Sequence, residues 1–233
     1  MKKTMILAVL LINSIGVFAQ LAQVGTPAVP TSTNLTPENK FSWGVKFGIN
    51  FATLHGNGDN SDIKSLFCYN AGVALNIPIV QNFYMQTGMD FTNKGMRIKE
   101  SDDYFNYEAK IKLAYLQVPL LMSYYFNLGN NVQWHFNFGP YFALGVLGSV
   151  DEKYSSDYDS ESYSYDAFGD LSEDNMGLSR FDAGLTFATG ILINKIYLGI
   201  QYDLGLANMC GSEYSSDSSL KSRTFSIRLG YNF

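Results

Sequence analysis

Two histidines, two cysteines and a charged fraction of only 16% leave this 233-residue chain poor in the side chains that catalysis and metal binding use most. A hydrolytic site needs a nucleophile or activated water, a base and an orienting carboxylate within hydrogen-bond reach. His55 falls in a long connection and His135 opens a segment expected to start at the opposite rim. No catalytic set, cofactor or metal site is therefore expected, which disfavours a lipid- or peptide-hydrolysing activity, and His135 reads as a polar interior residue. Long apolar runs are also missing. After the first twenty residues none reaches eighteen, which excludes a helical membrane protein. Basic clusters are absent too, and acidic residues outnumber basic ones 21 to 16, which argues against nucleic-acid binding.

The N-terminus has the layout of an export signal. Lys2 and Lys3 precede an apolar run from Met5 to Ile12, and Val17-Phe18-Ala19 offers small residues for cleavage after Ala19. Residues 1–19 are read as a signal peptide. Without its two lysines the chain keeps 14 basic residues against 21 acidic ones, a net charge of −7. Residues 20–40 hold three of the six prolines and show no apolar periodicity, so they are read as a flexible periplasmic leader.

From Phe41 onward the sequence alternates. Trp43, Val45, Phe47, Ile49 and Phe51 stand against Ser42, Gly44, Lys46, Gly48 and Asn50; Phe225, Ile227, Leu229, Tyr231 and Phe233 stand against Thr224, Ser226, Arg228, Gly230 and Asn232. Strand side chains alternate faces with period two, so each segment has one apolar and one polar face. Six further segments, beginning near Tyr69, Phe83, Leu116, Trp134, Phe181 and Ile196, repeat the pattern; Leu121 breaks it, and Val146 is placed on the apolar face. Large aromatics (Trp43, Trp134, Tyr231, Phe233) sit near strand ends, as at membrane interfaces. The polar face is rich in glycine, which suits a narrow interior. Connections alternate between short (80–82, 127–131, 194–195) and long (52–67, 99–107, 149–178, 209–222), the pattern of outer-membrane barrels. Residues 41–233 are thus expected to form an all-β, eight-stranded antiparallel up-and-down transmembrane β-barrel, with long loops extracellular and both termini periplasmic. A spanning sheet must close, because lipid cannot satisfy exposed backbone groups. Eight strands enclose room for side chains but not for a general diffusion pore.

The run YLQVPLLMSYYF at Tyr115–Phe126, FNFGPYFALG at Phe136–Gly145, RFDAGLTFATGI at Arg180–Ile191 and the ending IRLGYNF resemble the PorT-type outer-membrane β-barrel proteins of Bacteroidetes. The resemblance covers residues 41–233. It implies an outer-membrane location and insertion by the barrel-assembly machinery. One namesake of that family is tied to protein secretion, so the resemblance also brings in an accessory role in secretion or envelope assembly.

Two groups of residues are candidates for function. Lys46, Asp90, Lys94, Arg180, Asp182, Asp203 and Arg228 are all assigned to the polar face and expected to form an internal salt-bridge network that fills the barrel, with Arg228 and Asp203 as partners; the alternative is a proton or solute relay, for which an eight-stranded interior leaves no room. Unpaired buried charge is costly, so such charges need partners. The connection from Val150 to Leu178 carries nine acidic residues and one lysine, interleaved with Tyr154, Tyr158, Tyr163, Tyr165 and Phe168. It reads as a solvated loop that keeps its chain mobile, or as a contact surface, since tyrosines are favoured at interfaces. Asp157, Asp159 and Glu161 alternate like calcium ligands, but the glycine and distal glutamate of a helical calcium loop are missing. The expected partners are outer-membrane lipid, the barrel-assembly machinery and an unidentified envelope or extracellular protein. Cys68 and Cys210 lie on strands about 14 Å apart across the wall, and both a pair and two free thiols stay open.

Overall fold

The computed structural model describes residues 40–56, 63–102, 105–129, 131–156, 160–169, 175–211 and 218–233. Residues 1–39, which hold the expected signal peptide and nearly all of the expected leader, lie outside these residues. The described elements are all strands: β1 (Ser42–Gly56), β2 (Ile63–Lys64), β3 (Leu66–Val80), β4 (Phe83–Asp102), β5 (Phe105–Gly129), β6 (Val132–Ser156), β7 (Ser160–Phe168), β8 (Asn175–Leu178), β9 (Phe181–Ile193), β10 (Ile196–Gly205) and β11 (Leu220–Asn232).

Eight of them close a ring. Going round, β1, β3, β4, β5, β6, β9, β10 and β11 pair antiparallel with their neighbours, and β11 returns to β1 from Gly44↔Asn232 to Gly56↔Leu220. The chain is an eight-stranded transmembrane β-barrel. Its outward face is exposed and apolar: Phe47 is 61% exposed and Leu198 59%, and comparable side chains recur on all eight wall strands. Such a surface is stable only against lipid. Three short turns join strands at one end, and Asn82, Asn131 and Asn194 there take left-handed φ values of 67°, 63° and 54°. Asparagine tolerates that region better than other non-glycine residues, which is why these turns can be tight. Trp43, Trp134, Tyr231 and Phe233 all gather at this short-turn end, with the Trp43 and Phe233 rings stacked at 4.2 Å.

At the other end much of what reads as loop is strand. β4, β5 and β6 run 20, 25 and 25 residues, whereas crossing the apolar layer takes only about 9–11. The β5–β6 hairpin therefore extends far beyond the lipid, and β7 pairs along its outer part from Ser149↔Asp166 to Ser155↔Ser160. This ribbon replaces a large part of the irregular loop expected at 149–178. A bulge sets its faces. Tyr115 pairs with Gly145 and Ala114 with Leu147, so Val146 is an extra residue with no partner on β5. An inserted residue switches strand parity, so the inward series of β6 passes from Ala143 and Gly145 to Gly148 and Val150. Val146 accordingly leaves the outward row in which the alternation placed it. Leu121 breaks the alternation because it is a buried lumen residue, 2% exposed.

Candidate functional site

The lumen fills in three layers. At the short-turn end, rings close it: Tyr84 stacks on Tyr125 at 4.3 Å, Tyr125 on His135 at 3.6 Å, and Tyr197 lies 5.8 Å beyond His135. Tyr197 fits because Gly190 and Gly199 face its ring, where a Cβ would collide. His135 Nε2 lies 3.4 Å from Gln133 Oε1, and the imidazole is occupied by stacking rather than by a nucleophile.

The middle layer is polar. Lys94 pairs with Asp182 at 2.8 Å with both side chains fully buried. The same Asp182 oxygen accepts from Ser222 at 2.9 Å and Tyr141 at 3.2 Å, and the Lys94 ammonium sits 4.3 Å from the centre of the Tyr141 ring. Arg228 pairs with Asp90 at 2.8 Å. Asp203 accepts from Thr186 at 2.6 Å, from Gln201 at 2.8 Å and from Gln117 at 3.3 Å. Arg228 and Asp203 are therefore not direct partners, which corrects the expected pair: although they lie on neighbouring strands, Arg228 reaches across the lumen to Asp90 on β4, and Asp203 is held by Thr186, Gln201 and Gln117. Lys46 donates to Gln86 at 2.8 Å and has no carboxylate in ion-pair range among the described residues. Arg180 is the other correction. It is exposed at the turn into β9, donates to the Gly145 carbonyl at 3.2 Å and lies 4.9 Å over the Phe168 ring. The parity that put it inside fails because β9 begins only at Phe181.

The third layer, towards the long-connection end, is an apolar plug. Leu54, Leu113, Tyr115, Phe168, Leu178 and Met209 are at most 2% exposed and belong to one cluster. Phe168 comes from β7, folded back so that its ring lies against Gly145 and Gly148; a Cβ at Gly148 would lie 2.8 Å from it. Phe168 thus belongs to the interior and not to a solvated loop. Cys68 is buried on β3, Cys210 is half-buried, and both thiols are free.

Above the plug, the ribbon carries the second candidate site. On the face continuous with the lumen, Glu152 accepts from Tyr165 at 2.7 Å and from Tyr154 at 3.0 Å, and Glu161 accepts from Tyr163 at 2.8 Å. Tyr107 of β5 joins them, its ring 4.9 Å from Tyr154, which lies 6.2 Å from Tyr163. Burial, with the Glu152 carboxylate second, pushes the Tyr107 phenol up to about 12. Burial and the bond to Glu152 likewise raise Tyr165. At neutral pH both are therefore hydroxyl donors. Three of the four candidate tyrosines thus meet around two carboxylates; Tyr158 lies outside the described residues, as do Asp157 and Asp159. Tyr107 was missed because its segment reads as loop, although the alternation of Tyr107, Ala109, Ile111 and Leu113 marks one strand face. On the ribbon's outward face Glu108 bonds Arg97 at 2.7 Å and Lys110 at 2.9 Å, and Asp151 bonds Lys112 at 2.7 Å. The Lys110 bond holds Glu108 below the usual carboxylate range, and the Lys112 bond does the same for Asp151.

Several solved outer-membrane proteins are similar to this chain. The attachment invasion locus protein Ail of Yersinia pestis, crystallised with a heparin analogue, is 15% identical with a TM-score of 0.39 over 83% of this chain and 99% of that one. OprG of Pseudomonas aeruginosa is 11% identical with a TM-score of 0.45 over 86% and 99%. Neisserial surface protein A is 11% identical with a TM-score of 0.43 over 83% and 99%. These likenesses are too distant to carry any statement about function. No curated protein matches the chain. Residues 18–211, most of the barrel included, match the family described as the outer membrane protein beta-barrel domain, and the chain belongs to that family of the outer membrane.

Proposed function

We propose that this protein is a non-enzymatic outer-membrane barrel whose β5–β6–β7 ribbon presents a tyrosine–carboxylate surface to an envelope or extracellular protein. The observation that carries this reading is the joining of Tyr107, Tyr154, Tyr163 and Tyr165 to Glu152 and Glu161 on one face of the hydrogen-bonded ribbon. Aromatic anchors in a fixed geometry lose little entropy on binding. The lumen supports the same reading. Ring stacking at one end and an apolar plug at the other enclose its charges, held by the Lys94–Asp182 and Arg228–Asp90 ion pairs and, for Lys46 and Asp203, by neutral hydrogen-bond partners, which suits a structural filling rather than a relay. In the cell the long connections face outward and the short turns and both termini face the periplasm, after insertion by the barrel-assembly machinery.

Crosslinking in intact cells, followed by recovery of the barrel, tests the contact surface. Replacing Tyr107, Tyr154 and Tyr163 together by Ser is expected to keep the heat-modifiable gel shift of a folded barrel while abolishing a specific crosslinked partner. A partner that survives the triple change would rule out the ribbon as the contact surface. If the partner is a component of a secretion system, the PorT-type resemblance gains its finer meaning. Protease added to whole cells should cut within the β5–β6–β7 ribbon before it reaches the short turns; the reverse order would overturn the orientation.

A further inference from the structure

Basic residues are scattered in this sequence, yet the register of β2, β4, β5 and β6 collects six of them on one outward wall. Lys112 pairs across to Gly95 and Ser149; Lys110 lies between Arg97 and Asp151; Glu108 lies between Lys99 and Lys153; and Lys64 of β2 pairs with Arg97. All share the face opposite Ile98, Ile111 and Val150, which pack inward. Three carboxylates occupy the same face among the described residues, Glu108, Asp151 and Asp166, so the wall is net positive on a chain with a formal charge of −5. Lys64, Lys99 and Lys153 make no ion pair among the described residues.

The placement relative to lipid decides what this wall faces. The apolar belt on the same strands runs up through Phe91, Leu116 and Leu144 and ends at Leu147, which is 68% exposed. Lys112 stands one same-face step above the row of Ala114 and Leu147, about 7 Å, and Lys110 and Arg97 one step higher. The headgroup layer adds roughly 5–8 Å on each side of the hydrocarbon. The lowest cations therefore enter the headgroup layer, and longer lysines above can bend down into it. We propose that this wall is a docking surface for the phosphate groups of anionic membrane lipids, with Lys112, Lys110 and Arg97 as the principal contacts and Lys153, Lys99 and Lys64 supplying longer-range charge. Glu108 and Asp151 then hold the cations in position while partly offsetting their charge. Each basic group near an anionic headgroup contributes enough to make the preference cumulative.

The test uses the full barrel refolded in detergent, with folding checked by heat-modifiable mobility and retained lipid counted by native mass spectrometry. Offered equal amounts of phosphatidic acid and phosphatidylcholine, the protein should retain the first about tenfold more, and the preference should shrink as salt rises. Changing Lys110, Lys112 and Lys153 together to Gln should bring the two lipids near parity. If that variant fails to fold, Lys112→Gln alone should still lower the preference about threefold, roughly half the logarithmic effect of the triple change. Lys195→Gln, at the short-turn end, should leave it unchanged. Glu108→Gln with Asp151→Asn should strengthen it. Equal retention of both lipids by the unchanged barrel would overturn the proposal, as would a folded triple variant that keeps the preference. Complete displacement of phosphatidic acid by millimolar inorganic phosphate would also overturn it, since it would indicate a phosphate-ion pocket rather than a lipid surface.

Discussion

The lipid-embedded wall and the β5–β6–β7 ribbon are built on one geometry and use it oppositely. Both are antiparallel with period two, and β5 passes from one to the other without interruption. In the wall, Leu116, Leu120 and Met122 point out while Gln117 and Ser123 point in; in the ribbon, Lys110 and Lys112 point out while Ile111 and Leu113 point in. The polarity of the faces inverts within four residues along a single strand. Pleating decides which residues share a face; the surrounding medium decides which chemistry that face can carry. Lipid outside forces apolar side chains outward and leaves polar ones to bond across the lumen. Beyond the hydrocarbon, headgroups and water take the charges, and the inward face becomes the apolar one.

The comparison breaks most severely where the wall's interior loses a charge partner. Asp182→Ala leaves the fully buried Lys94 ammonium uncompensated and is expected to cost about 3–5 kcal/mol in urea-dependent refolding into micelles. A double-mutant cycle should also show stronger coupling of Arg228 to Asp90 than to Asp203; equal coupling would mean the network is shared rather than paired. Next in size is the outward face. Ile227, paired with Ile49 and Ile200 near mid-strand, should lose about 2–4 kcal/mol on change to Arg. Ser162→Arg on the ribbon should be nearly silent, and a comparable loss there would place the ribbon in lipid.

A smaller effect is expected where the two regions join. Gly148→Leu forces a side chain into the Phe168 ring, with overpacking of about 1–3 kcal/mol. Faster amide exchange in β7 with an unchanged wall would match; loss of the whole barrel would show that the plug and wall fold as one. The smallest effect is electrostatic. Glu108 and Asp151 are held below the usual carboxylate range, so their contribution is fully present above the unfolded value, about pH 4. It fades as pH falls through the folded value, so proteolysis of the ribbon should quicken only under acid. Quickening on raising the pH from neutral would contradict the sign.

Much of the wall was legible from the residues alone. Greasy and polar faces, short turns and an even strand count are local and periodic, so Trp43–Phe51 and Phe225–Phe233 declare themselves without knowledge of their neighbours. The inward placement of Lys46, Asp90, Lys94, Asp182, Asp203 and Arg228 followed from the same parity. Arg180 was misplaced because parity holds only inside a strand, and the start of β9 depends on where β8 turns. The pairing of charges was out of reach for a different reason. Closure and register put Lys94 beside Asp182, 88 residues away, and Arg228 beside Asp90, 138 residues away. The ribbon was hidden for a third reason: the many aspartates and serines of a long acidic connection mask the strand preference of its tyrosines, since Asp is depleted in strands. Pairing with β6 and burial of Phe168 against Gly145 and Gly148 settle its conformation instead. Period-two patterning, a property of one strand and its two surroundings, was thus determined by the sequence itself. Which charges meet, where the wall ends and what fills its mouth were decided only by the tertiary structure, because those contacts join residues far apart in the chain through a register that no single strand contains.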